Sequence, residues 1–372
     1  MKILKLACLS LLALTAAGCG KKILIPEKTV VAAYIDLEKA YVNGKSCAKT
    51  IIDALPSDES KAARKGYEEA LKKIDKIVDN LNAEWAVVTF GGNLKNLAHS
   101  SDLEAANNLA VAVKVDADKA AVKRVLEDVF EMKDVDVDKK NGQVVFDFPR
   151  NKGLHVGLID DQYLIFSSGK DAFDDMFDLY AGNGRDSDEF DDLARISGDT
   201  VCRIQTAPVA SLLKRFELEK YVEKFGEASE DEELADMILN MGSISLDVTV
   251  GDEVGLALHV ACDSTSDAKV IEGLMRSIAT YTRVGCDLAA YFAENPEQIP
   301  GDPSRKNKKE LAGVKGLFIN LAKNIEADRS WSVATLSFTL ETDKIADCIR
   351  KVTSDNEKRS TRDDDDDEDN AK

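Results

Sequence analysis

Side chains able to do chemistry are scattered thinly along this chain. Gly44-Lys45-Ser46 follows an apolar run and invites a phosphate-wrapping loop, but that loop needs another glycine five residues before Gly44, and Lys39 stands there. A turn at a helix start is the better reading. Ser46-x-x-Lys49 and Ser211-x-x-Lys214 each put an amine one helical turn from a hydroxyl, a spacing that can activate a serine. Two copies occur without the Lys-Thr-Gly and Ser-Asp-Asn companions, so both read as ordinary helix surface. Asp134, Asp136 and Asp138 open like a calcium loop, yet Lys139 holds the glycine position and Val145 the position of the bidentate glutamate. Alternating Val and Asp there suits the outer side of a hairpin strand. His99, His155 and His259 are far apart, and His155 and His259 are expected at solvent-facing strand positions. Carboxylates are too numerous for any pair to stand out as acid and base. Catalytic residues, cofactor-binding residues and metal ligands are therefore all read as none.

One cysteine is different. Lys2 and Lys5 precede a 12-residue apolar stretch, residues 6–17, too short to cross a bilayer. Ala16, Ala17 and Gly18 then lead into Cys19. This arrangement resembles the lipobox of bacterial lipoproteins, in which the cysteine is acylated and becomes the first mature residue. The resemblance implies cleavage between Gly18 and Cys19, lipidation of Cys19, and a membrane partner reached through that lipid. It departs from the family pattern at Ala16, where leucine is usual. Gly20, rather than Asp, follows the cysteine, which in that family favours the outer membrane, facing the periplasm, over the inner membrane. Losing Lys2 and Lys5 takes the net charge from −19 to −21. The other mature cysteines, Cys47, Cys202, Cys262, Cys286 and Cys348, are odd in number, form no Cys-x-x-Cys, and sit mostly in apolar runs. Buried free thiols are expected, although an oxidising compartment also allows up to two disulfides.

The elements that must carry these residues follow from periodicity. A buried strand at 30–35 precedes two helices, the second carrying Tyr67, Leu71, Ile74, Ile77, Val78 and Leu81 at helical spacing. Strands at 85–90 and 109–115 flank a Gly91-Gly92-Asn93 turn. Asp116 or Asp118 then caps a helix with Val122, Val125, Leu126 and Val129 on one side. Asn141-Gly142 and Asp160-Asp161 each mark a hairpin, and a helix starts near Asp171. The order then repeats. A strand at 200–204 leads to helices around 212–218 and 234–241, and a hairpin turns at Gly251-Asp252. A long helix follows, capped by Ser264 or Ser266 and carrying Val270, Leu274, Ile278, Tyr281 and Leu288. Past a break at Pro296, Pro300, Gly301 and Pro303 come a short helix around Leu311, a hairpin over 324–340 and a last helix at 342–352.

The fold class is thus α+β: two tandem, duplicated units, each a mainly antiparallel sheet with helices packed on one face. The divisions are a signal peptide at 1–18, the anchor cysteine and a short linker at 19–28, unit one at 29–197, unit two at 198–353 and a disordered acidic tail at 354–372. The tail holds seven consecutive acids, residues 363–369. The overall order is similar to that of uncharacterised tandem-repeat bacterial lipoproteins. A pI near 4.7 leaves no clustered positive charge for nucleic acid. The resulting expectation is an exported, lipid-anchored cell-envelope protein with a non-enzymatic binding or structural role. A hydrolase acting on an envelope substrate is the alternative. Binding predicts an exposed apolar groove, placed between the units. An envelope protein partner predicts a flat apolar patch, and catalysis a pocket with convergent polar groups.

Overall fold

A computed structural model of the 372-residue chain describes residues 23–91, 108–133, 135–148, 153–229, 232–295, 298 and 305–353. Gly18, Cys19, Gly92, Asn93, His99, Asp134, the prolines at 296, 300 and 303, Gly301 and the acidic tail lie outside the described residues. The elements in chain order begin β1 (Thr29–Asp36), α1 (Leu37–Ile52), α2 (Ser57–Leu81), β2 (Trp85–Gly91), β3 (Leu109–Lys114) and α3 (Lys119–Asp128). They continue β4 (Asp136–Lys140), β5 (Gln143–Asp147), β6 (His155–Ile159), β7 (Tyr163–Ser167) and α4 (Lys170–Tyr180). A second series follows: β8 (Thr200–Thr206), α5 (Val209–Arg215), α6 (Glu219–Ser229), α7 (Glu232–Leu239), β9 (Met241–Thr249) and β10 (Glu253–Cys262). It closes with α8 (Thr265–Glu294), α9 (Arg305–Asn324), β11 (Ile325–Ser330), β12 (Val333–Glu341) and α10 (342–353). No helix among the described residues is long and apolar enough to cross a membrane.

The twelve strands among the described residues join one antiparallel sheet in the order β11-β12-β10-β9-β8-β1-β2-β3-β7-β6-β5-β4. The two series do not form separate sheets, because β1 pairs with β8, Tyr34 opposite Arg203 and Ala32 opposite Gln205. The series β1-β2-β3-β7-β6 and β8-β9-β10-β12-β11 run outward from that seam in the same order. The first adds the β4–β5 hairpin at its far edge. Asn141 and Gly142 at its turn have φ of 53° and 85°, the left-handed pair that a tight two-residue turn requires. Asp160 and Asp161, at 50° and 57°, turn the β6–β7 hairpin.

The expectation of helices on one face is overturned in the first half. Phe173, Met176 and Phe177 of α4 pack on Ala32, Val87, Ala112 and Ile165, which define the front of the sheet. Val122, Val125 and Leu126 of α3 pack on Phe146, Val156, Leu158 and Leu164 behind it. Gly157 leaves room for α4, since a Cβ there would collide with the Phe177 ring. In the second half Leu212 of α5 still reaches the front core beside the seam, but the long helix α8 stays behind. Ala268, Ile271 and Met275 of α8 cover Val260, Cys262 and Ala334. The final helix, α10, does not cross to the front as α4 does. It starts at Thr342, whose hydroxyl donates to the Gly251 carbonyl at 2.6 Å and reaches the Cys47 sulfur of α1 at 3.9 Å. Ser245, Ala257, His259, Thr335 and Ser337, on the front of the second half, remain half-exposed.

Three further expectations change. A helix absent from the sequence reading, α6, sits between the two expected after β8. The helix around Leu311 is a full 20-residue α9. Part of the expected linker is packed: Ile25 is buried in the front core, its N–H donating to Asp186 at 2.8 Å and its carbonyl accepting from the Ser187 N–H at 2.8 Å.

Candidate functional site

The first candidate is built by α1 and α2. Asp36 accepts from the Lys39 N–H at 3.0 Å and so starts α1 directly at the end of β1. Asn82, left-handed at φ 44°, ends α2 with its N–H on the Val78 carbonyl at 2.9 Å. Between these ties the helices touch lightly, and of the α2 stripe read from sequence only Leu81 is buried. The rest of that stripe lines an open groove of about 490 Å³. Tyr67, Leu71, Ile74, Ile77 and Val78 form one wall, Leu37, Ala40, Tyr41 and Gly44 the other, and Ala83 closes the end.

Gly44 is therefore no part of a phosphate loop; with Lys45 and Ser46 it lies inside α1. A Cβ at Gly44 would meet nothing within 4 Å, so the glycine adds width to the groove. A glycine inside a helix costs about 1 kcal/mol relative to alanine. One rim is polar. Tyr41 donates to Asp75, Lys45 donates to the Tyr41 hydroxyl at 3.4 Å, and Tyr67 donates to the Lys45 carbonyl at 3.2 Å. The Tyr41 bond pushes the Lys45 ammonium up from its ordinary pKa, and burial pushes up the Tyr67 phenol. An apolar slot with a short polar rim can bind an apolar chain or side chain and fix its direction.

The second candidate is a polar cluster on the half-exposed front. Asp247 takes a two-pronged bond from Arg203, 2.6 Å at Nε and 2.7 Å at one terminal nitrogen. His259 sits beside them, Nδ1 at 2.9 Å from the Thr335 hydroxyl and Nε2 at 3.4 Å from Asp247, without the alignment of a hydrogen bond. Burial works against the Asp247 carboxylate, but Arg203 and His259 outweigh it and hold it down at about 2. Carboxylate, imidazole and hydroxyl in that order is what an acyl-transfer site uses. Here the carboxylate is already neutralised by Arg203. Thr335 lies in β12, inside the sheet between β10 and β11, where backbone N–H groups are committed to the ladders and cannot hold an oxyanion. The cluster reads as a cross-strand brace.

The remaining sequence candidates are not brought together. Ser46 and Lys49 share α1, and Ser211 and Lys214 share α5. Asp136 and Asp138 lie exposed on β4. His155 corrects the expectation of a solvent-facing ring: α4 covers that strand, and the imidazole packs 5.7 Å from the Phe173 ring. Cys47, Cys202, Cys262, Cys286 and Cys348 are free thiols, all but Cys202 buried. Burial pushes the thiols of Cys202, Cys262, Cys286 and Cys348 up, away from reactivity. Among the described residues no group of three or more His, Cys, Asp or Glu could hold a metal ion. The groove was missed from sequence because its stripe looks the same whether it faces a core or an open seam. Gly44 opposite Leu71 is the signal that could have found it. Comparison with protein-family models, with curated proteins and with solved structures finds no match at any of the three levels.

Proposed function

We propose that this chain is an exported cell-envelope protein, held at a membrane through lipid on Cys19, that binds an apolar ligand in the α1–α2 groove rather than catalysing a reaction. The observation that carries the binding half is the groove itself, whose lining residues other than Lys45 are all apolar, glycine or tyrosine. The anchoring half rests on the resemblance of residues 1–19 to a lipoprotein signal. The two strand series, identical in order from the β1–β8 seam outward, support descent of both units from one duplicated ancestor. In this reading the units at 29–197 and 198–353 share one sheet but not one role.

Two measurements test the proposal separately. Cys19→Ser should move the protein from the membrane pellet to the soluble or unprocessed fraction, because a multi-chain lipid anchor is lost. A cleaved serine variant that still pellets in high salt would refute the anchor. For the groove, the probe is a fluorescent fatty acid titrated against the full chain in detergent below its critical concentration. Saturable binding that Gly44→Leu weakens at least tenfold is expected. Binding unchanged by Gly44→Leu, or none at all, would remove the groove from the proposal.

A further inference from the structure

The 30-residue helix α8 is apolar on two sides. Ile271, Met275 and a series of small side chains, among them Ala268, Ala279, Cys286 and Ala290, are buried toward the body. Other large ones face out: Leu274 is 51% exposed, Tyr281 78% and Leu288 52%. Those three are seven residues apart, and Val270, Ser277, Val284 and Tyr291 repeat the same interval three or four positions away, which is the spacing of a helix–helix seam. No charged residue falls on the positions that form this seam. Gly273 and Gly285 lie along it, and a Cβ at either would meet nothing within 4 Å. Each glycine costs the helix about 1 kcal/mol and gives nothing back within the chain. What a glycine on a helix surface offers is close approach by another backbone.

We propose that this seam is where a second copy of the same chain docks, α8 against α8 in antiparallel register about a twofold axis at Tyr281. The register follows from the residues. It sets Leu274 opposite Leu288, Ile278 opposite Val284, and Ser277 opposite Gly285, so large meets large and small meets small. The seven large residues together expose on the order of 700 Å² per protomer, close to the roughly 800 Å² per partner of a stable interface. A bilayer would also accept an apolar stripe, but it gives no reason for a sequence that reads complementary to its own reverse.

The test uses the full chain in detergent. Analytical ultracentrifugation should show a dimer at micromolar concentration, and Leu274→Glu with Leu288→Glu should weaken it by at least about 100-fold. Both positions are exposed, so the unfolding midpoint of the separated chain should stay unchanged. Cysteine crosslinking reads the register independently. Tyr281→Cys alone should form a disulfide dimer under mild oxidation. Leu274→Cys alone should not, since its copies lie roughly 20 Å apart in this register, while mixing Leu274→Cys with Leu288→Cys should. A monomeric wild type, a dimer that survives the double variant, or Leu274→Cys crosslinking to itself would each overturn the proposal. So would a monomer whose glutamate variants lose binding to phosphatidylglycerol vesicles, which would assign the seam to lipid.

Discussion

The two halves of the sheet share a strand order and use it differently. In the first half both faces are covered, and the front core is aromatic, with Tyr34, Trp85, Phe173, Phe177 and Phe190 buried together. In the second half α10 stays with the helices behind, the front is left to small and polar side chains, and α8 carries its large apolar residues on the outside. The same succession of elements can therefore close on itself or leave surfaces available. The fate of one helix after the last strand decides much of it. Lys170–Tyr180 offers four buried large side chains, Phe173, Met176, Phe177 and Tyr180, to the front core, whereas the buried positions of α10 are small, Thr342, Ala346 and Cys348.

This contrast can be broken most severely in the first half. Phe177→Ala removes a fully buried ring from beneath β6 and should lower unfolding free energy by about 3–5 kcal/mol in denaturant titration. In the second half the comparable lever is the polar brace. Asp247→Asn leaves the Arg203 guanidinium, 16% exposed, without its counter-charge, and should cost about 3 kcal/mol. The pH dependence sharpens that prediction. The Asp247 carboxyl is depressed from 3.8 to about 2 in the folded chain, so its contribution is complete above about pH 4. It is lost as pH falls from about 4 to about 2, and amounts to about 2 kcal/mol. Asp247→Asn should flatten that part of a stability–pH curve.

A smaller effect is expected at the start of α8. Ser264 accepts from the Asp267 N–H at 3.0 Å, and Ser264→Ala should cost about 1 kcal/mol in thermal or chemical unfolding. The smallest belongs to the outer seam of the same helix. Leu274→Gln should change the stability of the dilute, separated chain by less than about 0.5 kcal/mol, because the side chain is half in water already. A large loss there would mean that the second half closes on itself as the first does.

Local features were legible in the sequence, and long-range ones were not. Asn141-Gly142 set its hairpin, Asp118 capped α3 and Ser264 capped α8, because each acts on backbone within three residues. The charged α6 was missed although Tyr221, Val222, Phe225 and Ala228 keep helical spacing between its Glu and Lys residues. The second covered face of the first half had a signal that went unused. Val156 to Ile159 and Leu164 to Phe166 are nearly unbroken apolar runs, whereas a half-solvated strand alternates. The side of α8 that packs was not readable, since a stripe of Val, Leu, Ile and Tyr predicts burial and the structure buries the opposite side, Ile271 and Met275 among several alanines. The alanines let the helix settle close to the sheet, and that preference depends on the partner surface. Nor does any local pattern announce that β1 and β8 pair.

That seam gives the packed segment around Ile25 a mechanical meaning. Ile25 is held by Asp186 and Ser187 in the segment between α4 and β8, and β1, which begins at Thr29, is the sixth of the twelve described strands counted from the β11 edge. Under the proposed lipidation, four residues lead from Cys19 to Ile23, a reach of at most about 14 Å. Tension from the bilayer would then enter the molecule at its waist. The sheet would hang from its middle with the β4 and β11 edges as two free arms, and neither unit could swing away from the membrane without carrying the other.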